Sequence, residues 1–293
     1  MDQIYSVERL PEAPRKHFAT GFREVGGGPA ASAAVAIARL GGEARLWSRV
    51  GDDPVGDRIV RELEQEGVAV AAIKRVPGAR SGCSAILVDA RGERMIVNFR
   101  GDRMDPDPSW LPLSEIRGAG ALLGDLRWPE GSARALAEAR RLGIPALLDA
   151  DAASGREGTE ALAAASHILF SSQGLAEFTG LTETEGALRL AASRTGAWVG
   201  VSAGQAGVYW MEGEQLRHLP SFALDVVDTL GAGDVLHGAF ALALARGERV
   251  DHALGFACAA AAIKCTRPGG RTGAPHANEV AAFLEERADA AKS

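Results

Sequence analysis

The stretch Val227-Asp228-Thr229-Leu230-Gly231-Ala232-Gly233-Asp234-Val235-Leu236-His237-Gly238-Ala239-Phe240 decides the reading of this chain. It sets two acids and two glycines in a tight turn, and the apolar run from Val235 to Leu244 behind it predicts a buried helix. Gly231 and Gly233 carry no Cβ, so an anion can approach the backbone and be met by successive N–H groups at a helix start. Asp234, beside that turn, can accept a proton from an attacking hydroxyl while the amides hold the developing negative charge. An acid next to an anion hole predicts group transfer to an alcohol. The alternative reading is an ordinary turn in which Asp234 caps the following helix.

The extended register favours the chemical reading. Asp228, Thr229, Gly231, Ala232, Gly233 and Asp234 follow the pattern Asp-Thr-x-Gly-Ala-Gly-Asp, which resembles the C-terminal signature of the ribokinase-like (PfkB) carbohydrate kinases. The resemblance implies an α/β fold with a mostly parallel central sheet flanked by helices and a small β-sheet lid. It makes Asp234 the catalytic base and Gly231, Ala232 and Gly233 the anion hole, with Thr229 on the cofactor side. ATP and Mg2+ are the implied cofactors, and a monovalent cation is left open, as are the metal ligands. In the same frame the lid comprises residues 1–25 and 76–104 and the α/β core residues 26–75 and 105–293, with a homodimer formed through the lid.

Composition agrees with a soluble enzyme that buries a large core: 46% of residues are hydrophobic and 24% charged. A net charge of −6 with scattered Lys and Arg argues against a nucleic-acid surface, which needs a basic stripe. Cys83, Cys258 and Cys265 form no Cys-x-x-Cys pair, so reduced thiols and a cytoplasmic location are expected. The charged amino terminus and the absence of a long apolar run predict neither a targeting segment nor a membrane span.

Along the chain, Gln3–Val7 and Lys16–Arg23 read as strands of a small sheet. The family resemblance implies a buried core strand before them and a sugar-binding acid at its end, where Asp2 stands; the first core strand is therefore expected to be missing, and a start set too far downstream is the favoured explanation. Gly26-Gly27-Gly28-Pro29 leads into an alanine-rich helix, resembling the family's first signature, with Ser32 where an Asn is usual. Gly27, Gly28 and Ser32 are thus implied substrate contacts. Gly51-Asp52-Asp53-Pro54-Val55-Gly56 predicts a structural helix cap.

From Val76 to Arg103 alternating, β-branched residues predict lid strands, and Asn98 is a polar candidate for a sugar contact. Strand and helix signals then alternate to Phe170, which implies a parallel sheet with ligands beyond its carboxyl ends. Arg127 falls at one such end, a guanidinium fork for a carboxylate, phosphate or sulfonate or, alternatively, a partner for Asp125 or Asp149. Together with the Gly-Gly-Gly-Pro run and Asn98, the Arg127-Trp128 pair is similar to the sulfofructose kinase branch. Ser202, Gly204 and Gly207 resemble the family's nucleotide turn, and Ala259 and Gly270 its adenine wall.

Two departures count against ordinary catalysis. Ser171 and Gly174 stand where the family has Asn-x-x-Glu, with Glu177 the nearest substitute, and Ser32 shortens a usual contact. They motivate a rival reading as a non-catalytic sugar or nucleotide sensor, against which Asp234 stands. Within the kinase reading, fructose, ribose, 2-keto-3-deoxygluconate and nucleosides remain alternatives to 6-deoxy-6-sulfofructose. His237, one turn beyond Asp234, either lines the site or packs.

Overall fold

The computed structural model describes residues 1–91, 93–151 and 158–290; Gly92, inside the turn expected at 89–93, lies outside them. The chain opens with strands β1 (Asp2–Ser6) and β2 (Gly21–Val25), followed by helix α1 (Pro29–Arg39), strand β3 (Ser48–Gly51), helix α2 (Pro54–Gln65) and strand β4 (Ile73–Val76). Strands β5 (Cys83–Val88) and β6 (Arg94–Phe99) come next. The order then alternates as expected: β7 (Leu122–Asp125), α3 (Pro129–Arg141), β8 (Ala146–Ala150), α4 (Thr159–Ala164), β9 (His167–Ser171), α5 (Ser172–Thr179), α6 (Thr184–Thr195) and β10 (Trp198–Ser202). The hairpin β11 (Val208–Glu212) and β12 (Gln215–Leu219) precedes three helices, α7 (Ala232–Ala245), α8 (Val250–Cys265) and α9 (Ala277–Ala290).

Among the described residues the strands form three sheets. The six-stranded sheet runs β12-β11-β10-β9-β8-β7, parallel from β7 to β10 and antiparallel at the hairpin edge. Side chains alternate across it with a period of two. Leu147 and Leu169 pack against a cluster built from α1, α7 and α8, whereas Leu148, Ile168 and Phe170 face one built from α3, α5 and α6. The sheet is therefore covered on both faces, which parallel strands require. Strands β3 and β4 form a separate parallel pair.

The lid is the sheet β2-β1-β5-β6. Its register puts Asp2, Ser84 and Asn98 in one row, with Ile4 and Ile86 in the next row of the same face, buried. The opposite face carries the row Phe22, Tyr5, Leu87 and Met95. Residue 76, expected at the start of the lid, closes β4 instead, so the second lid segment begins at β5. Asp2 is the first residue of β1. Asp53 acts as the expected cap: its carboxylate accepts from Gly56 N at 2.7 Å, and from Ser81 N at 2.7 Å, tying α2 to the approach of β5.

Helix α7 is buried from Val235 to Leu244 and lies against α1 and α8. The contact with α1 is close at Gly238, where a Cβ would sit 2.6 Å from the Ala33 carbonyl oxygen. Gly238→Ala should push the two helices apart and lower unfolding free energy by about 1–3 kcal/mol, the usual cost of overpacking. Chemical denaturation checks this; unchanged stability would show that α1 and α7 can separate freely.

Candidate active site

The parallel strands direct their carboxyl ends at a common region, where Asp125, Asp149, Ser171 and Ser202 terminate or nearly terminate β7 to β10. Helix α7 begins there at Gly231, whose φ of 76° is left-handed and suits glycine. No side chain caps this helix. Ala232 N donates to the Thr229 carbonyl oxygen at 3.2 Å, and with no side-chain cap the positive end of the helix dipole stays available to an anion at the neighbouring amides. The space above Gly233 is open. The sequence-predicted Gly231, Ala232, Gly233 and Asp234 thus come together as one turn.

Asp234 has its carboxyl pushed up to about 7, first by burial and then by the Asp149 charge, against the opposing effects of His237 and a hydrogen bond from Ser32. That proton affinity suits a base working near neutral pH. Asp149 is itself buried, its carboxyl raised well above the ordinary carboxylate range by burial and by Asp151 and Asp125, with Arg127 opposing. His237 is the residue whose role the sequence left open. It is buried, with Nδ1 2.7 Å from the Gly233 carbonyl oxygen and 3.4 Å from Asp149 Oδ2, and Nε2 3.0 Å from the Leu169 carbonyl oxygen. It fastens the first turn of α7 to β9 and sits beside both acids.

The implied sugar wall is assembled from three directions. Asp125 Oδ2 accepts from Ala30 N at 3.0 Å and Oδ1 from Arg127 N at 2.8 Å, so one carboxylate fixes both the start of α1 and the turn bearing Arg127. A Cβ on Gly27 would fall 2.2 Å from Asp2 Oδ2, so the glycine is required for the lid acid to pack against this turn. Ser32 is buried on α1 near Asp234. Asn98 donates to Ser84 Oγ at 3.0 Å across the lid face that carries Asp2. The Arg127 guanidinium pairs with Asp151 Oδ2 at 2.9 Å, a partner other than the Asp125 or Asp149 weighed from sequence.

Of the residues expected to bind nucleotide, Ser202 ends β10, and Gly204 and Gly207 shape the turn into β11. Thr229 accepts a hydrogen bond from the lid residue Arg94. Two expectations for the adenine wall need correction. Ala259 is completely buried in the α7–α8 core and has no surface for a ligand. Gly270 is buried, and the open side of its Cα meets Leu230 and Val25, which places it behind the anion-hole turn.

The missing Asn-x-x-Glu also has a steric basis. A Cβ at Gly174 would lie 2.2 Å from the Ala150 carbonyl oxygen, so β8 leaves no room for a side chain there. Ser171 caps α5, accepting from Gly174 N at 2.9 Å. Glu177 is exposed and takes a hydrogen bond from Gln173 at 2.7 Å, so it does not replace the lost glutamate.

Magnesium fits this region in a limited way. Asp149 Oδ1 is buried without a hydrogen-bond partner, and a neighbouring cation would relieve the repulsion among Asp125, Asp149 and Asp151. Among the described residues, no three acidic, His or Cys side chains converge as a cage, which agrees with an ion held largely by nucleotide phosphates and water. Sequence reasoning missed Lys264, Arg94 and Arg271 altogether. Arg271 is buried against Glu62, and its guanidinium fills the space that a side chain on Gly26 would need.

Comparison with known proteins follows the same lines. The model of the pfkB family carbohydrate kinases matches residues 1–277. Ribokinase from Bacillus subtilis (strain 168) is 31% identical, with 97% of this chain and 96% of that protein covered. An ATP-dependent ribose-1-phosphate kinase from Halopiger xanaduensis is 33% identical, covering 98% and 96%. Among solved structures, a candidate ribokinase from Agrobacterium tumefaciens superposes with a TM-score of 0.94 at 37% identity, covering 98% of this chain and 95% of that one.

The charge environment of Asp234 makes a signed prediction. Because the base must be ionised, turnover should rise with pH through an acid limb near 7. Ser32→Ala removes a group that lowers the Asp234 pKa and should move the limb upward, whereas Asp149→Asn removes a repelling charge and should move it downward, each by up to about one unit. Rate profiles in which both variants shift in the same direction would contradict this electrostatic account.

Proposed function

The chain belongs to the pfkB family of carbohydrate kinases and is an ATP-dependent sugar kinase, and from that premise we propose that it phosphorylates a primary hydroxyl of an anionic sugar, best represented by 6-deoxy-6-sulfofructose. The observation that carries the anionic choice is Arg127, held at the carboxyl end of β7 by Asp125 and still partly exposed. Its fork has five donors, of which Asp151 engages one end. A relative named for an anionic sugar, the Halopiger ribose-1-phosphate kinase, is consistent with this choice; the B. subtilis protein, named for ribose, makes ribose the reading to test beside it.

In the proposed mechanism the sugar lies between the Asp2, Ser84 and Asn98 row of the lid and the Gly27–Gly28 turn. The nucleotide extends from the Ser202–Gly207 turn towards α7. Asp234 takes the proton of the attacking hydroxyl, and the amides of Gly231, Ala232 and Gly233 hold the charge on the transferring phosphoryl group. Asp149 is the carboxylate best placed to face magnesium, which when bound neutralises phosphate charge. The lid excludes water and, through its outward row of Phe22, Tyr5, Leu87 and Met95, supplies an apolar surface on which two copies could form a homodimer.

Two measurements test these roles. Asp234→Asn should keep nucleotide affinity and lose roughly 10²–10⁴-fold in turnover, the usual worth of a general base; near-normal turnover would remove Asp234 from that role. ADP release over a panel of 6-deoxy-6-sulfofructose, ribose 1-phosphate, ribose, fructose, 2-keto-3-deoxygluconate and adenosine should favour an anionic member. With that member, Arg127→Ala should raise KM by about tenfold or more while leaving neutral sugars little changed; equal losses for both classes would reject the assignment.

A further inference from the structure

Lys264 is an anomaly in its helix. It ends a run of small residues on α8, yet its side chain is 0% exposed. Its Nζ donates to the backbone carbonyl oxygen of Asp228 at 2.6 Å and lies 3.9 Å from Asp228 Oδ2. The Asp228 carboxylate in turn accepts from Leu230 N at 2.8 Å and from Gly269 N at 2.9 Å. One acid thus joins the turn leading into Gly231 to the turn leading into Gly270, and one ammonium holds that acid's own carbonyl inward. Burial would raise the Asp228 carboxyl, but those backbone N–H groups and the Lys264 charge hold it below its ordinary value. Burial depresses Lys264, with Asp228 opposing.

The charge balance here bears on the monovalent cation left open from sequence. Arg23 Nη2 and Arg94 Nη1 stand 3.8 and 3.7 Å from the same carboxylate. With Lys264 that makes three cationic side chains around one acid, so no negative charge remains to attract a free alkali ion. The residues at this turn do not fit such an ion. We propose that the Lys264 ammonium is a tethered monovalent cation, a positioning group that shapes the Asp228–Gly231 turn for the anion hole, so that this kinase needs no free potassium or ammonium. The inference rests on the kinase activity of the family and concerns the support of the same site.

The test begins with the native protein, in potassium, sodium, ammonium and tetramethylammonium chlorides at equal ionic strength. Turnover with the best sugar of the panel, ADP affinity by calorimetry and the ADP-induced rise in Tm should be the same in all four. Lys264→Ala should lose roughly 10- to 100-fold in turnover in tetramethylammonium, the usual effect of removing a group that orients a site from behind. Potassium, ammonium or methylammonium should restore part of that loss and raise the variant's Tm with ADP. Activation of the native protein by potassium would overturn the proposal, as would a Lys264→Ala protein that is fully active in tetramethylammonium, or one that is folded but silent in every salt. Should Lys264→Ala fail to fold, the native salt series alone decides. A native protein that turns over no sugar would count against the proposed substrates, while its ADP affinity and Tm across the salts would still report on Lys264.

Discussion

The start of α7 is a helix end without a cap, and the rest of the site is arranged around that deficiency. Gly231, in a left-handed backbone, has no side chain to satisfy the first amides, and of these Ala232 N turns back to the Thr229 carbonyl oxygen at 3.2 Å. Elsewhere in a fold such an end would be a defect, because unpaired buried N–H groups cost free energy. Here it is tolerable because a ligand anion can supply the missing acceptors. The same positive end would also stabilise the ionised form of an acid in the first turn. Burial and Asp149 oppose this, and Asp234 ends near neutral affinity, able to take a proton and give it up again.

Keeping that turn in shape falls to contacts outside it. His237 joins the Gly233 carbonyl to β9 from below. Asp228 joins the preceding turn to Gly269, and Lys264 fixes Asp228 from α8. From above, Arg94 of the lid reaches Thr229. The lid is therefore attached to the anion-hole turn at one end and to the glycine turn through Asp2 at the other.

Legibility in the sequence followed the range of the interactions. The Gly-Ala-Gly-Asp turn, the buried α7 and the Asp53 cap are local, set by residues within a few positions of one another, and they were readable. So was the parallel sheet, because β7 to β10 are short apolar runs separated by helical ones. The antiparallel edge of β11 and β12 was not read, since its strands mix exposed charged residues with buried ones. Ala259 was misplaced because a small residue looks the same whether it lines a pocket or fills a core; only the approach of α7 decides. The partner of Arg127 depended on a position 24 residues away in sequence. Lys264 carried a signal, a lone cation in a run of alanines, but its meaning needed the Asp228 carbonyl to be seen facing it. Gly174 is similar: the lost glutamate reads as a catalytic deficit until the Ala150 carbonyl is found in its place.

The most direct test of the central claim is a crystal structure of the protein with ADP, magnesium, aluminium fluoride and the best sugar acceptor. The account predicts the planar fluoride group over the amides of Gly231, Ala232 and Gly233, with a primary hydroxyl of the sugar between it and Asp234 within hydrogen-bond reach of the carboxylate. A fluoride group bound away from the start of α7, or an acceptor hydroxyl directed at a residue other than Asp234, would contradict it.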